Sequence, residues 1–153
     1  MPVFSTKQAT MNEAKDKRKL MHTMRQAIRW GDMDVLGHVN NTVYFRYMES
    51  GRICFLEEAA GGFNMQGEGP VIVTAYCTFL KQLKYPGEIE VRTYAGAPGR
   101  SSFEVTHEIS LVDADGKADV VYAEGGGKVV WIDFQEEKSV PLPEHLRSVL
   151  QGA

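Results

Sequence analysis

TVYFRYMESGRICFLEEAA, residues 42–60, is the stretch that decides the fold, because it carries a helical period through several turns. At about 100° per residue, Val43, Tyr44, Tyr47, Gly51, Cys54 and Phe55 gather on one broad face. Asn41 or Thr42 can cap its start, and the pair Gly61-Gly62 can end it. Almost everything around it reads as strand. Upstream, Met24, Ile28 and Trp30 fall on alternate positions from His22 onward, which predicts a strand of period two. Downstream of the Gly-rich loop GGFNMQGEGP (61–70), VIVTAYCTFLK (71–81) is β-branched and aromatic, and EIEVRTYAG (88–96) alternates. In SSFEVTHEISLVD (101–113) the alternation puts Phe103, Val105, His107 and Ile109 on one face. Asp115-Gly116 is a turn signal between that strand and VVYAEGGGKVVWIDF (120–134). The tail VPLPEHLRSVL sets a proline just inside a short last helix. One strand, one long helix and about four consecutive antiparallel strands predict an α+β domain whose helix covers one face of an antiparallel sheet.

The residues just before that helix are of another character. WGDMDVLGHVNNTVYF (30–45) crowds Asp32, Asp34, His38, Asn40 and Asn41 together, then turns apolar and aromatic. A helix start presents unpaired N–H groups and about half a positive charge, which suits an anion or a developing oxyanion. A carboxylate beside it can act as general base or nucleophile towards a carbonyl held there, so the pattern points to acyl transfer. The same residue types also serve as plain caps and turn formers. Asp32, Asp34 and His38 could contribute metal ligands, but nothing elsewhere in the chain completes a set, and no metal is expected. Gly125-Gly126-Gly127 lies inside a strand pattern with no helix after it, so it reads as a bulge or close backbone approach rather than a phosphate loop.

The run RWGDMDVLGHVNNTVYFRYMESGR, with its D-x-D-x-x-G-H-V-N-N core, resembles the signature of hot-dog-fold acyl-CoA thioesterases of the 4-hydroxybenzoyl-CoA thioesterase type. The resemblance extends from about Gln26 to Pro143, through FLKQLKYPGEIEVRTY, GRSSFEV, AEGGGKVVWID and VPLP. It implies a curved antiparallel sheet wrapped around one long helix, and hydrolysis of an acyl-CoA to free acid and CoA. It assigns the catalytic carboxylate to Asp34 and a structural turn role to Asp32. The oxyanion hole falls at the backbone N–H of Asn41, and His38 matches a catalytic-region histidine of related plant acyl-carrier-protein thioesterases. Those enzymes carry an asparagine two residues after the aspartate, where this chain has Leu36. The resemblance also implies Lys84, Arg100, Ser101 and Ser102 as contacts for the CoA end, a site formed between two chains, and a homodimer or homotetramer. CoA is part of the substrate, and no separate cofactor is implied. Two rivals are a hydroxyacyl dehydratase of the same fold, which usually places its histidine and acid elsewhere, and a non-catalytic acyl-CoA-binding regulator. The latter would normally need a DNA-binding domain, for which some twenty residues before the first strand leave no room.

Bulk properties bound these readings. The chain has 153 residues, 43% of them hydrophobic and 24% charged, enough for one domain with a sizeable core. Residues 1–21 read as a polar arm and 22–153 as the domain. A formal charge of −3 disfavours nucleic acid as a partner. No signal peptide or membrane-length apolar run is present, and two isolated cysteines, Cys54 and Cys77, fit a reduced, cytoplasmic setting. Cys77 reads as a buried thiol and His107 as a core or interface histidine. On the helical wheel Phe45, Glu49, Arg52 and Leu56 share the side opposite the core, with Ile53 beside them. That stripe predicts helix-to-helix association of dimers into a tetramer, with Glu49 and Arg52 placed to pair with each other or across that contact.

Overall fold

The computed structural model describes residues 17–62 and 67–152. Most of the expected polar arm and the centre of the Gly-rich loop lie outside the described residues. Strand β1 (Lys19–Ile28) starts earlier than the expected His22. It also stops earlier than the alternation suggested. The Arg29 backbone N–H donates to Asp32 Oδ2 at 2.9 Å, and the Asp32 N–H returns to the Arg29 carbonyl at 3.0 Å. This closed 3₁₀ turn, Trp30–Asp32, ends the strand and leaves Trp30 78% exposed.

Helix α1 (Asn41–Ala60) follows. After it come β2 (Glu68–Phe79), β3 (Gly87–Ala95), β4 (Ser102–Leu111), β5 (Val121–Asp133), the two-residue β6 (Lys138–Ser139) and α2 (Glu144–Gln151). The strands form one antiparallel sheet in the order β1-β3-β4-β5-β2, with β6 on β5. Strand β2 therefore lies beyond β5 and away from its sequence neighbour β3. Its segment to β3 must cross the sheet, and that crossing passes the start of α1.

The helix packs on one face of the sheet, and its two halves serve two clusters. The first half sets Tyr44, Tyr47 and Met48 against Ile28, Val39, Leu83, Ile89, Val91, Ile109 and Ala123. The second half sets Phe55, Leu56 and Ala59 against Phe103, Val105, Val129 and Trp131, with Leu146 and Leu150 of α2 closing over them. The face expected at 103, 105, 107 and 109 is buried as read from the alternation. Leu56, expected on the outward stripe, is 1% exposed, because α2 covers a second side of the helix's end. Glu49 pairs with Arg46 at 2.6 Å and not with Arg52. The tetramer stripe thus loses one of its apolar members, and within one chain Glu49 and Arg52 do not pair with each other.

Glycine fixes two close approaches. A Cβ on Gly51 would stand 2.7 Å from Thr93 Oγ1 and 2.9 Å from Val91 Cγ1, so the helix rests directly on β3 there. Cβ atoms on Gly125, Gly126 and Gly127 would strike the carbonyl oxygens of Tyr76, Val105 and Thr74 in the flanking strands. The triple glycine is a close backbone approach.

Candidate active site at the start of the long helix

The polar run folds into a tight loop between the 3₁₀ turn and α1. Met33 and Val39 bridge, the Asp34 N–H donates to the His38 carbonyl at 3.0 Å, and the Gly37 N–H donates to the Asp34 carbonyl at 3.1 Å. Gly37 sits at φ 81°, a conformation that favours glycine and turns the chain at the loop's tip. The cap is Asn40 and neither Asn41 nor Thr42, one residue earlier than expected. Its Oδ1 accepts from the Thr42 N–H at 2.9 Å and from the Thr42 hydroxyl at 2.5 Å. Its Nδ2 donates to Asp34 Oδ2 at 3.0 Å. One side chain thus caps the helix and holds the neighbouring carboxylate. The Leu36 N–H fixes the other oxygen, Asp34 Oδ1, at 2.9 Å.

The two aspartates have separate surroundings. Asp32 Oδ2 accepts from the Tyr47 hydroxyl at 2.7 Å as well as from Arg29 N–H, tying the loop to the core face of the helix. Burial, and then the bond to Asp32, pushes the Tyr47 phenol well above its usual range, so it stays a donor. Asp34 instead lines a cavity of about 450 Å³ together with His38, Asn41, Tyr44 and the chain from Phe79 to Gln82. At the helix start, Thr42 N–H is taken by the cap side chain and Val43 N–H by the Asn40 carbonyl at 3.0 Å. The Asn41 N–H has no hydrogen bond among the described residues.

The far wall comes from the end of β2 and the crossing after it. Leu83 N–H donates to the Tyr44 hydroxyl at 3.2 Å, and Val39 N–H donates to the Leu83 carbonyl at 2.9 Å. These bonds dock the crossing onto the loop. Phe79 stands edge-on to Tyr44, ring centres 5.0 Å apart, which makes that wall aromatic. Sequence reasoning missed Asn40 as the holder of Asp34, and missed residues 79–82 altogether. The doubled asparagine was a signal for the first, whereas nothing local marks the second.

The residues expected to bind the CoA end are not gathered in one place within the chain. Lys84 is exposed on the crossing, one residue from Leu83. Arg100, Ser101 and Ser102 lie at the start of β4, where the Arg100 carbonyl accepts from Leu142 N–H and from Arg147, and Ser102 pairs with Val130. In register this is the far end of the sheet from Lys84. Cys77 is half-buried, and burial pushes its thiol up to about 11, so little thiolate exists near neutral pH. Among the described residues no three His, Cys, Asp or Glu side chains gather to hold a metal, and no helix is long and apolar enough to cross a membrane.

A family model described as the thioesterase-like superfamily matches residues 28–150. Among solved structures, the Pseudomonas aeruginosa PA2801 protein, proposed to be a thioesterase, superposes with a TM-score of 0.79 at 36% identity, covering 86% of this chain and 99% of its own. A protein from Xanthomonas campestris proposed to be an acyl-CoA thioesterase has a TM-score of 0.67 at 30% identity, over 76% of this chain and 96% of that one. BH1999, a gentisyl-coenzyme A thioesterase, gives 0.70 at 26% identity over 82% and 99%. The Bacillus subtilis protein YsmA, itself uncharacterised, is 26% identical over 121 residues, 72% of this chain and 80% of its own length.

Proposed function

The chain belongs to the thioesterase-like superfamily, and on that premise we propose that it hydrolyses an acyl-CoA to the free carboxylic acid and CoA. One observation carries the reading: a fixed, half-buried carboxylate, Asp34, lines the same cavity as the start of a helix whose first N–H is uncommitted. A thioester carbonyl set against Asn41 N–H gains a donor and the helix's positive end as its oxygen becomes an oxyanion. Asp34 takes a proton from water as that water attacks the carbonyl carbon. Collapse of the tetrahedral adduct breaks the C–S bond and expels CoA thiolate, and the proton held by Asp34 passes to the departing sulfur. His38, on the same wall, orients the water or the thioester. If Asp34 attacks directly, CoA thiolate leaves and a mixed anhydride forms; water attack on the Asp34 carboxyl carbon then leaves one Asp34 oxygen in the product acid and a water oxygen on Asp34, which a single turnover in ¹⁸O-water distinguishes. The names of the neighbours in solved structures support the substrate class, since one is a coenzyme A thioesterase.

The site is completed, in this reading, by a second copy. Strand β2 is one edge of the sheet, its Glu68 end lies at the same end of the sheet as the start of β4, with β5 between them, and its Phe79 end lines the cavity. Antiparallel pairing of two β2 edges sets each chain's Phe79 end beside the other's Glu68 end. It thereby brings Arg100, Ser101 and Ser102 of the partner subunit toward this chain's Lys84, a basic surface for the CoA phosphates. The protein acts in the cytoplasm, where its two cysteines stay reduced.

Asp34→Asn keeps the shape and removes the base. Its kcat should fall at least about a hundredfold, with KM for acyl-CoA little changed. Asp32→Asn should retain most turnover and lose stability. Near-normal turnover of Asp34→Asn, with turnover lost in Asp32→Asn, would reverse the assignment.

A further inference from the structure

A second cavity, of about 260 Å³, opens on the other flank of α1, where Thr42 and Phe45 replace Asn41 and Tyr44 as its lining. Ile72 and Ala75 of β2 line it, together with the Arg46–Glu49 ion pair, Arg52 and His107. Two polar groups there stand out. His107 Nδ1 meets Thr93 Oγ1 at 3.0 Å, and both residues are fully buried, yet His107 Nε2 has no hydrogen-bond partner. It is the one such buried side-chain nitrogen or oxygen among the described residues. An unmatched buried polar atom costs about 1–3 kcal/mol, so native structures rarely leave one without a purpose. Arg52 is half-buried and feels the charge of Glu49, yet among the described residues it forms no ion pair, since Glu49 is held by Arg46 at 2.6 Å. Desolvation, and then the Arg52 charge, holds the His107 ring far below its usual range, so the ring is neutral. In the tautomer in which Thr93 donates to Nδ1, Nε2 carries the proton and is a donor.

We propose that this cavity receives the far end of the acyl group, and that Arg52 and His107 Nε2 select acyl chains ending in a carboxylate. The inference rests on the acyl-CoA reading above and names the substrate class for it. A guanidinium and a neutral N–H in one cavity, whose own carboxylate, Glu49, is already held by Arg46, suit a ligand carboxylate, which takes the charge from one and the hydrogen bond from the other. Met48 is the part that yields. Its sulfur lies against Gly125, the register partner of His107, and a flexible thioether can move aside for a ligand oxygen. Arg52 is eleven residues along α1 from Asn41, about 16 Å of helix, and long helical side chains lean back toward the helix start. The span and the modest volume suit a short chain, well below a fatty acyl group.

The experiment compares hydrolysis of hexanoyl-CoA, 6-hydroxyhexanoyl-CoA and adipoyl-CoA by the wild type, Arg52→Gln, Arg52→Lys and His107→Phe. The wild type should show kcat/KM for adipoyl-CoA at least about tenfold above hexanoyl-CoA, mainly through KM. That ratio should fall to near one in Arg52→Gln and His107→Phe, and stay above one in Arg52→Lys. A wild type that hydrolyses hexanoyl-CoA as well as adipoyl-CoA, an equal gain from the hydroxyl chain, or a ratio unmoved in Arg52→Gln would overturn the inference while leaving the thioesterase reading intact. Failure of every thioester would sink the thioesterase reading instead. The cavity is then read directly by the ¹⁵N resonance of His107 Nε2 in wild-type protein titrated with S-(5-carboxypentyl)-CoA and S-hexyl-CoA, two thioethers that cannot be hydrolysed. A shift with the carboxylate-ended thioether alone supports the site, and no shift, or the same shift with both, rejects it.

Discussion

Two aspartates two positions apart do different work because their neighbours differ. Asp32 is held by a core tyrosine and a strand-ending N–H, which makes it part of the frame. Among the described residues Asp34 is held only by its own loop and the helix cap, and it lines the cavity. His107 shows the same logic in the sheet, where its surroundings decide its charge. Its folded pKa is lowered to about 3 from 6.5, first by burial and then by Arg52. Between those two values the unfolded chain binds a proton that the folded chain does not. The contribution of neutral His107 is therefore complete above about pH 6.5 and is lost as pH falls toward 3. In urea unfolding, the wild type should lose stability relative to His107→Phe by up to about 1.4 kcal/mol per pH unit in that window. Parallel acid limbs for the two proteins would show that the ring is already protonated in the fold.

At the scale of elements, α1 is positioned as much by a missing side chain as by those it carries. Ordinary helix propensity favours Gly51→Ala by up to about 1 kcal/mol. Here the new methyl would press on Thr93 Oγ1 and Val91 Cγ1, both in rigid buried β3. The expected net result is destabilisation by about 1–3 kcal/mol, with the Thr93–His107 pair disturbed beneath it, measured by chemical denaturation. A stabilised Gly51→Ala would mean that helix and sheet are less tightly pressed. This contact also bears on what could be read beforehand. Gly51 fell on the core face because helical spacing is a local rule, and the same rule found β3, β4 and β5. Leu56 was misplaced because a wheel knows nothing of α2, which arrives some ninety residues later to cover a second side. Trp30 was misplaced because the alternation ran on past a turn that Arg29 and Asp32 close with hydrogen bonds. In the site, Asp34, His38 and Asn41 were legible because they are near in sequence and share a chemical pattern. Phe79 to Gln82 were not, since only the crossing from β2 to β3 brings them there.

At the scale of the whole chain, one of the sheet's two edges stands out. Strand β2 is the edge opposite β1, and it is long and apolar: Ile72, Val73, Tyr76 and Phe79, with Leu80 just after it, are 39–54% exposed. An unpaired apolar edge of twelve residues is a template for another strand. A register shift between Ile72 and Thr74 frees Val73 from pairing with β5, so the edge is irregular at one point only. The same edge runs into the Asp34 cavity at Phe79, so under the proposed function association and activity are coupled. Wild-type protein should therefore sediment as a dimer or a multiple of it. Val73→Asp/Tyr76→Asp places like charges across a two-fold edge contact and should give monomers. These monomers should keep the fold by circular dichroism, because neither side chain belongs to a core cluster. Their kcat/KM for acyl-CoA should drop by at least about tenfold, with KM rising more than kcat falls, as the CoA end loses the contacts of the other chain. A wild type that stays monomeric at high concentration and hydrolyses acyl-CoA would show that one chain holds a complete site, and the assignment of Arg100, Ser101 and Ser102 to the CoA end would fall with the dimer.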